Sequence, residues 1–336
     1  MTLATWHFHI EVSSKCTLRC PRCARQEVPD TLINTELDLE FFKRNFTEQF
    51  VLDSVEKITF CGDDGDPIYA HDLIPVIEYI KKIKPVEIVI ITNGSYRKPE
   101  WWQGLGSVLT SQDTVHFSID GWDNESNNLY RVNSDFNSIL EGVVNLRSAS
   151  ACRLIWAAIA FKFNEHNLNK IASIAESCGF DAVQFTKSTK FGSIYPSYGN
   201  NDELEPSSQL VSGSHRFERD VILLSSRGLT SQNVKNIELY KTVKEINNVK
   251  PLCEIGNKGL YIDARGRLFP CCWVANRYTH NTEWQELAEQ FNLHTRTLSD
   301  AVTDDFWDTK FRTFKWQECQ TKCAASGVNE KYATEW

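Results

Sequence analysis

Two patterns alternate along the first two-thirds of the chain, and together they leave few folds open. Short β-rich runs occur at Trp6–Val12, Val55–Cys61, Val86–Thr92, Thr114–Ile119, Arg153–Phe161 and Ala182–Phe185. Between them lie amphipathic stretches with helical spacing, at Asp38–Gln49, Leu73–Lys82, Ser138–Ala149 and Leu168–Cys178. Repeated strand–helix units imply parallel strands joined by helical crossovers, hence an α/β sheet or barrel. The runs fall short of the eight strands that close a barrel. The expected fold is α/β, a partial (β/α)6 TIM-type barrel.

From Lys187 to Gln232 the periodicity fails. The stretch is polar, with Gly, Pro and the aromatics Phe191, Tyr195 and Tyr198. Such a stretch suits a substrate-covering loop, with plain disorder as the alternative. A linking helix is expected at Val234–Asn247, followed by a small cysteine-rich section. That section shows a hairpin pattern (Leu260–Ile262, Gly266, Leu268–Pro270) and a helical segment Leu298–Phe314, with Ser299 as a candidate N-cap and Asp300 in the first turn. The expected division is 1–235 for the barrel, with 187–232 as an irregular insertion, and 236–336 for the linking helix and the second domain.

Net charge is −8, from 36 basic and 44 acidic residues. An acidic chain is a poor match to a polyphosphate backbone, which disfavours nucleic acid as a partner. No stretch is long and apolar enough to span a bilayer, and Met1–Val12 does not read as a signal peptide. Eleven cysteines without an export signal point to a reducing, cytoplasmic setting. There, clustered thiols bind metal or do chemistry more often than they pair.

The first cluster follows the first strand: Cys16-Thr-Leu-Arg-Cys20-Pro-Arg-Cys23. A loop of this length can turn three soft thiolates toward one centre, and thiolates select zinc or iron–sulfur clusters. Zinc prefers a nearby fourth ligand, and none follows closely. Three ligands leave one iron of a four-iron cluster open for binding and chemistry. A zinc loop is the alternative.

This Cys-x3-Cys-x2-Cys motif resembles the signature of the radical S-adenosylmethionine (SAM) superfamily, although Arg22 stands where that family often has an aromatic residue. The resemblance implies a [4Fe–4S] cluster on Cys16, Cys20 and Cys23, with SAM chelated at the fourth iron and cleaved to methionine and a 5′-deoxyadenosyl radical. Further motifs stand at strand ends, where such barrels keep their catalytic groups. Cys61-Gly-Asp-Asp-Gly65-Asp66-Pro67 resembles the Gly-Glu-Pro motif that receives the SAM ammonium, with Asp66 as the acid. Thr92-Asn93-Gly94, Ser118-Ile-Asp120-Gly121 and Tyr130-Arg131 follow in the family's order. By resemblance, Ser118 and Asp120 lie near the ribose and methionine of SAM, and Arg131 pairs with its carboxylate. Gln184 is expected to face the active site, or to be an ordinary polar residue of the barrel interior.

The second cluster comprises Cys253, Cys271-Cys272, and Cys319 with Cys323 one helical turn later. Its spacing resembles the auxiliary-cluster domains called SPASM and twitch. The resemblance implies a second [4Fe–4S] cluster on Cys253, Cys271, Cys319 and Cys323, with Cys272 as a substitute for Cys271; zinc again is the alternative. Cys152 and Cys178 read as core residues. Cys61 and Cys272 lie nearer the chemistry and are candidate hydrogen-atom donors. A reductant such as flavodoxin or ferredoxin is then required. The substrate read first is a peptide or protein residue, oxidised, crosslinked or epimerised, captured directly or through a separate recognition protein. A sugar-like small molecule, and then a nucleoside or nucleic-acid base, are the alternatives, as more distantly is a non-catalytic metal protein.

Overall fold

The computed structural model describes residues 6–26, 30, 32–187, 202–205, 219–223, 260–272, 274–275 and 288–307. In chain order the elements begin β1 (Trp6–Ile10), α1 (Leu39–Asn45), α2 (Glu48–Ser54), β2 (Val55–Phe60), α3 (Leu73–Ile83), β3 (Glu87–Thr92), α4 (Pro99–Val108) and β4 (Thr114–Ser118). They continue with α5 (Asn124–Asn128), α6 (Phe136–Ala149), β5 (Arg153–Ala160), α7 (Leu168–Ser177), β6 (Ala182–Lys187), β7 (Arg219–Leu223), β8 (Leu260–Ile262), β9 (Leu268–Phe269) and α8 (Leu298–Val302). The chain forms two compact units, one from 1–16, 28–90 and 244–336, the other from 17–27 and 91–243.

In the first unit the strand order is β3-β2-β1-β8-β9. β1 pairs in parallel with β2 on one side and β8 on the other, and β2 in parallel with β3. The expected hairpin is present as β8 and β9, antiparallel, and its first strand extends the parallel sheet. Gly266 makes the turn possible: its φ is +76°, and a Cβ there would meet the His294 ring at 2.8 Å. Asp263 holds the same turn, accepting from the backbone N–H of Arg265 and Arg267 and pairing with the buried Arg267 guanidinium.

The core of this unit is aromatic. Phe8 meets Phe46 edge-on at 5.2 Å, and Phe42 stacks on Phe46 at 5.4 Å. The single helix expected over Asp38–Gln49 is two helices. α1 ends at Asn45, and Thr47 caps α2 by accepting from the Phe50 N–H. A strong N-cap residue inside an otherwise helical pattern starts a new helix there. Two further corrections fall in α8. Its N-cap is Thr297, which accepts from the Asp300 N–H, and Ser299 lies inside the helix. The helix stops at Val302, and a turn capped by Asp304 follows, so the run to Phe314 is not one helix; residues 308–314 lie outside the described residues.

In the second unit the order is β7-β6-β5-β4. β4, β5 and β6 are parallel, and β7 pairs antiparallel with β6 from Ala182↔Leu223 to Thr186↔Arg219. β7 falls inside the stretch expected to be irregular. Its five residues carry too short a pattern to announce a strand, and β6 supplies the partner. α4 and α5 went unread as helices; Pro99 opens α4 at its first turn and Asp123 opens α5 with a capping box. Trp102, Phe117, Trp156 and Phe180 form the core here, Trp156 donating its indole N–H to the Ile119 carbonyl at 2.8 Å. Among the described residues, no helix is long and apolar enough to cross a membrane.

Candidate active site

The second unit holds the greater part of the cysteine loop. Cys23 N–H donates to the Cys20 carbonyl at 3.1 Å, folding the two ligand positions into one tight turn. Two bonds fasten that loop to the segment after α5: Arg19 N–H to the Val132 carbonyl at 2.9 Å, and Asn133 Nδ2 to the Thr17 carbonyl at 2.8 Å. Beneath it lies Arg131. Its Nε reaches Asp120 Oδ2 at 2.6 Å, and its guanidinium also hydrogen-bonds the Cys20 thiol.

Asp120 is fully buried and both of its oxygens are engaged inside the protein. Oδ2 holds Arg131, and Oδ1 accepts from the Ile159 N–H at 2.6 Å. Its backbone is fixed too, by Asn127 Oδ1 and Asn164 Nδ2. Burial pushes the Asp120 carboxyl up, and Arg131 pulls it back. Burial also works against the Arg131 charge, but Asp120 and Cys20 outweigh it, so the guanidinium stays protonated. The Cys20 thiol is pushed up to about 11 by burial, against the opposing charge of Arg131.

Ser118 and Gln184 stand in one register row with Ala157 between them. Opposed residues share a face of the sheet, so these two polar side chains share one. Gln184 is buried. Thr92 and Asn93 shape the turn after β3, accepting from Gly94 N–H and Ser95 N–H respectively.

The first unit holds the acidic loop after β2. A residue that sequence reasoning missed governs it. Glu11, just beyond β1 and 2% exposed, accepts through one oxygen from Asp64 N–H at 2.7 Å and Gly65 N–H at 2.9 Å. The loop lies so close that a Cβ on Gly62 would stand 2.8 Å from that oxygen, and one on Gly65 would stand 2.0 Å from the Ser13 carbonyl. Asp66 donates its N–H to the Lys15 carbonyl at 2.9 Å and caps the Pro67–Tyr69 turn through Oδ1. The available signal was a lone carboxylate at the end of an apolar strand.

Burial, then Asp64 and Asp63, push the Glu11 carboxyl well up. The same acidic surroundings reach both candidate hydrogen donors. Cys61 is raised by burial, Asp63, Asp66 and Glu11; Cys272 by burial, Asp63, Cys271 and Cys61. Both thiols therefore stay protonated. Tyr261, on β8, is raised by burial and the same acids, and packs edge-on against His9 at 5.0 Å. Burial lowers His9 to about 4, keeping it neutral.

Cys253, Cys319 and Cys323 lie outside the described residues; Cys271 is described and is not in a disulfide. Cys152 is buried as expected. Cys178, expected in the core, is half-buried as the C-cap of α7.

Cys20 and Cys23, in one turn of the second unit, are residues of a type that could hold a thiolate-bound cluster. Cys16, Cys20 and Cys23 are all outside disulfides. A buried thiol beside a buried guanidinium is a site where a bound metal replaces the proton and the positive charge offsets the thiolate. Among the described residues, no three Cys, His, Asp or Glu side chains converge as ligands of one ion would. A four-iron cluster instead takes its thiolates on separate irons.

No curated protein sequence matches the chain. Solved structures share its fold, three of them as follows. Streptococcus suis SuiB bound to the precursor peptide SuiA has 14% identity and a TM-score of 0.61, covering 96% of this chain and 70% of that one. SuiB bound to S-adenosylmethionine has 13% identity and a TM-score of 0.59, covering 96% and 71%. The anSMEcpe protein with bound AdoMet has 14% identity and a TM-score of 0.52, covering 95% and 85%. These share the mixed α/β fold with a parallel sheet and an incomplete barrel. The family model described as Radical SAM superfamily matches residues 10–169, from the end of β1 into α7, and so takes in the cysteine loop, the Glu11-braced loop and the Asp120–Arg131 pair. Over residues 10–169 the chain is therefore similar to the Radical SAM superfamily.

Proposed function

We propose that this chain is an enzyme that cleaves SAM reductively and uses the resulting radical to modify a residue of a peptide or protein. The observation that carries the reading is Arg131, held by Asp120 at 2.6 Å and turned onto the Cys20 thiol inside the stretch similar to the Radical SAM superfamily. When bound, a [4Fe–4S] cluster on Cys16, Cys20 and Cys23 supplies the electron that breaks the sulfonium bond. The chain's own residues do the rest. Asp120 orients Arg131, whose remaining N–H groups are suited to a carboxylate. Glu11 fixes the 62–66 loop, which offers the Asp66 region to an ammonium. Ser118 and Gln184 offer polar groups on one face of the sheet. Cys61 and Cys272, kept protonated, suit donation of a hydrogen atom. The preference for a peptide rests on the fold shared with SuiB, a protein solved with its precursor peptide over 96% of this chain's length. A Cys-ligated auxiliary cluster on Cys253, Cys271, Cys319 and Cys323 would accept an electron from the substrate radical and favour oxidation or a crosslink.

The test is anaerobic. Reconstituted protein reduced with dithionite is expected to yield 5′-deoxyadenosine and methionine from SAM, and Cys→Ala at positions 16, 20 and 23 together to abolish both. Undiminished turnover in the triple variant would overturn the reading. Incubation with a short peptide encoded beside the gene is expected to remove the mass of two hydrogens; a gain of one mass unit in deuterated water, lost on Cys61→Ala or Cys272→Ala, would instead mean epimerisation.

A further inference from the structure

One register row of the first unit carries three polar side chains with unmet hydrogen bonds. His9 on β1 is opposite Thr59 on β2 and Tyr261 on β8. Opposed residues share a face of the sheet. Phe8, the neighbour of His9 on β1, packs on Phe46, the C-cap of α1, and on Phe50 of α2, so the row faces away from those helices. Neighbouring strands lie about 4.8 Å apart, which sets the three side chains side by side, and the His9 and Tyr261 rings meet edge-on at 5.0 Å. Tyr261 is 1% exposed and Thr59 5%; His9 is half-buried. The Tyr261 hydroxyl, the Thr59 hydroxyl and His9 Nε2 are all shut off from solvent, with no hydrogen-bond partner among the described residues. Buried polar atoms are seldom left so, and three in one row mark a place where a ligand completes the bonding.

Their chemistry says what fits. The His9 ring hydrogen-bonds the Cys61 backbone, and burial keeps it neutral. Nε2 has no partner, so that bond belongs to Nδ1, and a neutral imidazole that donates from Nδ1 offers Nε2 only as an acceptor. The two hydroxyls can accept as well. Acids stand around the row: Asp63, Glu11 and Asp64 act on Tyr261, together with Asp263, which is paired with Arg267. None of the leading influences on Tyr261 or Glu11 is a basic side chain. Such surroundings repel an anion and favour a cation. A neutral hydroxyl has one hydrogen to give. A primary ammonium has three, and the opposite charge.

We infer that the Thr59–His9–Tyr261 row binds a primary ammonium group of the substrate. The inference rests on the proposed function and narrows it: in a peptide the group is a lysine side chain. His9 Nε2 and the two hydroxyls accept its N–H groups, and the nearby acids offset its charge. The step is binding alone; no bond is made or broken.

Calorimetric titration of the reconstituted full chain with Nα-acetyl-lysine methylamide, and with its uncharged norleucine counterpart, tests this. The lysine compound is expected to bind about tenfold tighter or more. Tyr261→Phe and Thr59→Val are each expected to weaken it by about tenfold and to leave the norleucine compound unaffected. The Tyr261 hydroxyl is unbonded in the free protein, so the urea midpoint of unliganded Tyr261→Phe is expected to equal or exceed that of the wild type. A hydroxyl that serves the fold would lower it, and that result overturns the proposal. Equal binding of the two compounds overturns it too, as does undiminished lysine binding in both variants. Saturating SAM is expected to leave lysine binding in place; competition would assign the row to the ammonium of SAM and overturn the proposal. Selective lysine binding by a protein that fails to cleave SAM under dithionite overturns the proposed function alone.

Discussion

Opposed demands meet at Glu11. Two backbone N–H groups favour its ionised form, while burial and the neighbouring Asp64 and Asp63 favour the protonated one. The second set prevails, so the folded protein holds this proton more tightly than the unfolded chain does. A raised carboxyl favours folding fully only below its ordinary pKa of 4.5, and that contribution fades as pH rises from there toward the raised value. Glu11→Gln keeps an oxygen for Asp64 and Gly65 but cannot ionise. Its urea midpoint is expected to fall less than the wild type's between pH 4.5 and neutrality; parallel curves would show that Glu11 does not titrate in that window. Residues of this kind are hard to read in advance. Cys16, Cys20 and Cys23 were legible because three ligands of one centre must be spaced along a single loop. Glu11 acts on residues more than fifty positions away, and one sequence records residue types without their neighbours. The two oxygens of Asp120 were equally hidden: its motif marks a strand end, and only folding brings Ile159 and Arg131 to it.

Elements were legible where a pattern repeats and obscure where a partner decides. β1 to β6 appear in the sequence because buried parallel strands are near-continuous apolar runs. β7 depends on β6 for its identity. Asn45, the last residue of α1, has a partner decided by distant sequence: its amide donates to the Phe41 and Leu293 carbonyls, and its Oδ1 accepts from the Leu298 N–H. That buried amide ties α1 to the start of α8. Asn45→Leu leaves the Leu298 N–H without its partner and is expected to destabilise by about 1–3 kcal/mol, read as a lowered urea midpoint at unchanged slope. A loss below about half a kcal/mol, the level of a surface substitution, would show that water satisfies these groups.

At the scale of the whole molecule the cysteines divide the expected iron. Two four-iron clusters would bring about eight irons to each chain. Replacing Cys16, Cys20 and Cys23 together by Ala is expected to leave about half of the iron and acid-labile sulfide bound. Complete loss would show that Cys253, Cys271, Cys319 and Cys323 hold no cluster of their own. The strand order has a separate consequence, for the making of the protein. Phe8 on β1 faces Leu260 on β8. Growing from its N-terminus at about 5–20 residues per second, the nascent chain exposes β1 for roughly tens of seconds before β8 emerges to cover it. An uncovered edge is a template for pairing with other chains. A chain released before residue 260 would keep all three cysteines of its first motif and still be lost, to aggregation on the ribosome's doorstep.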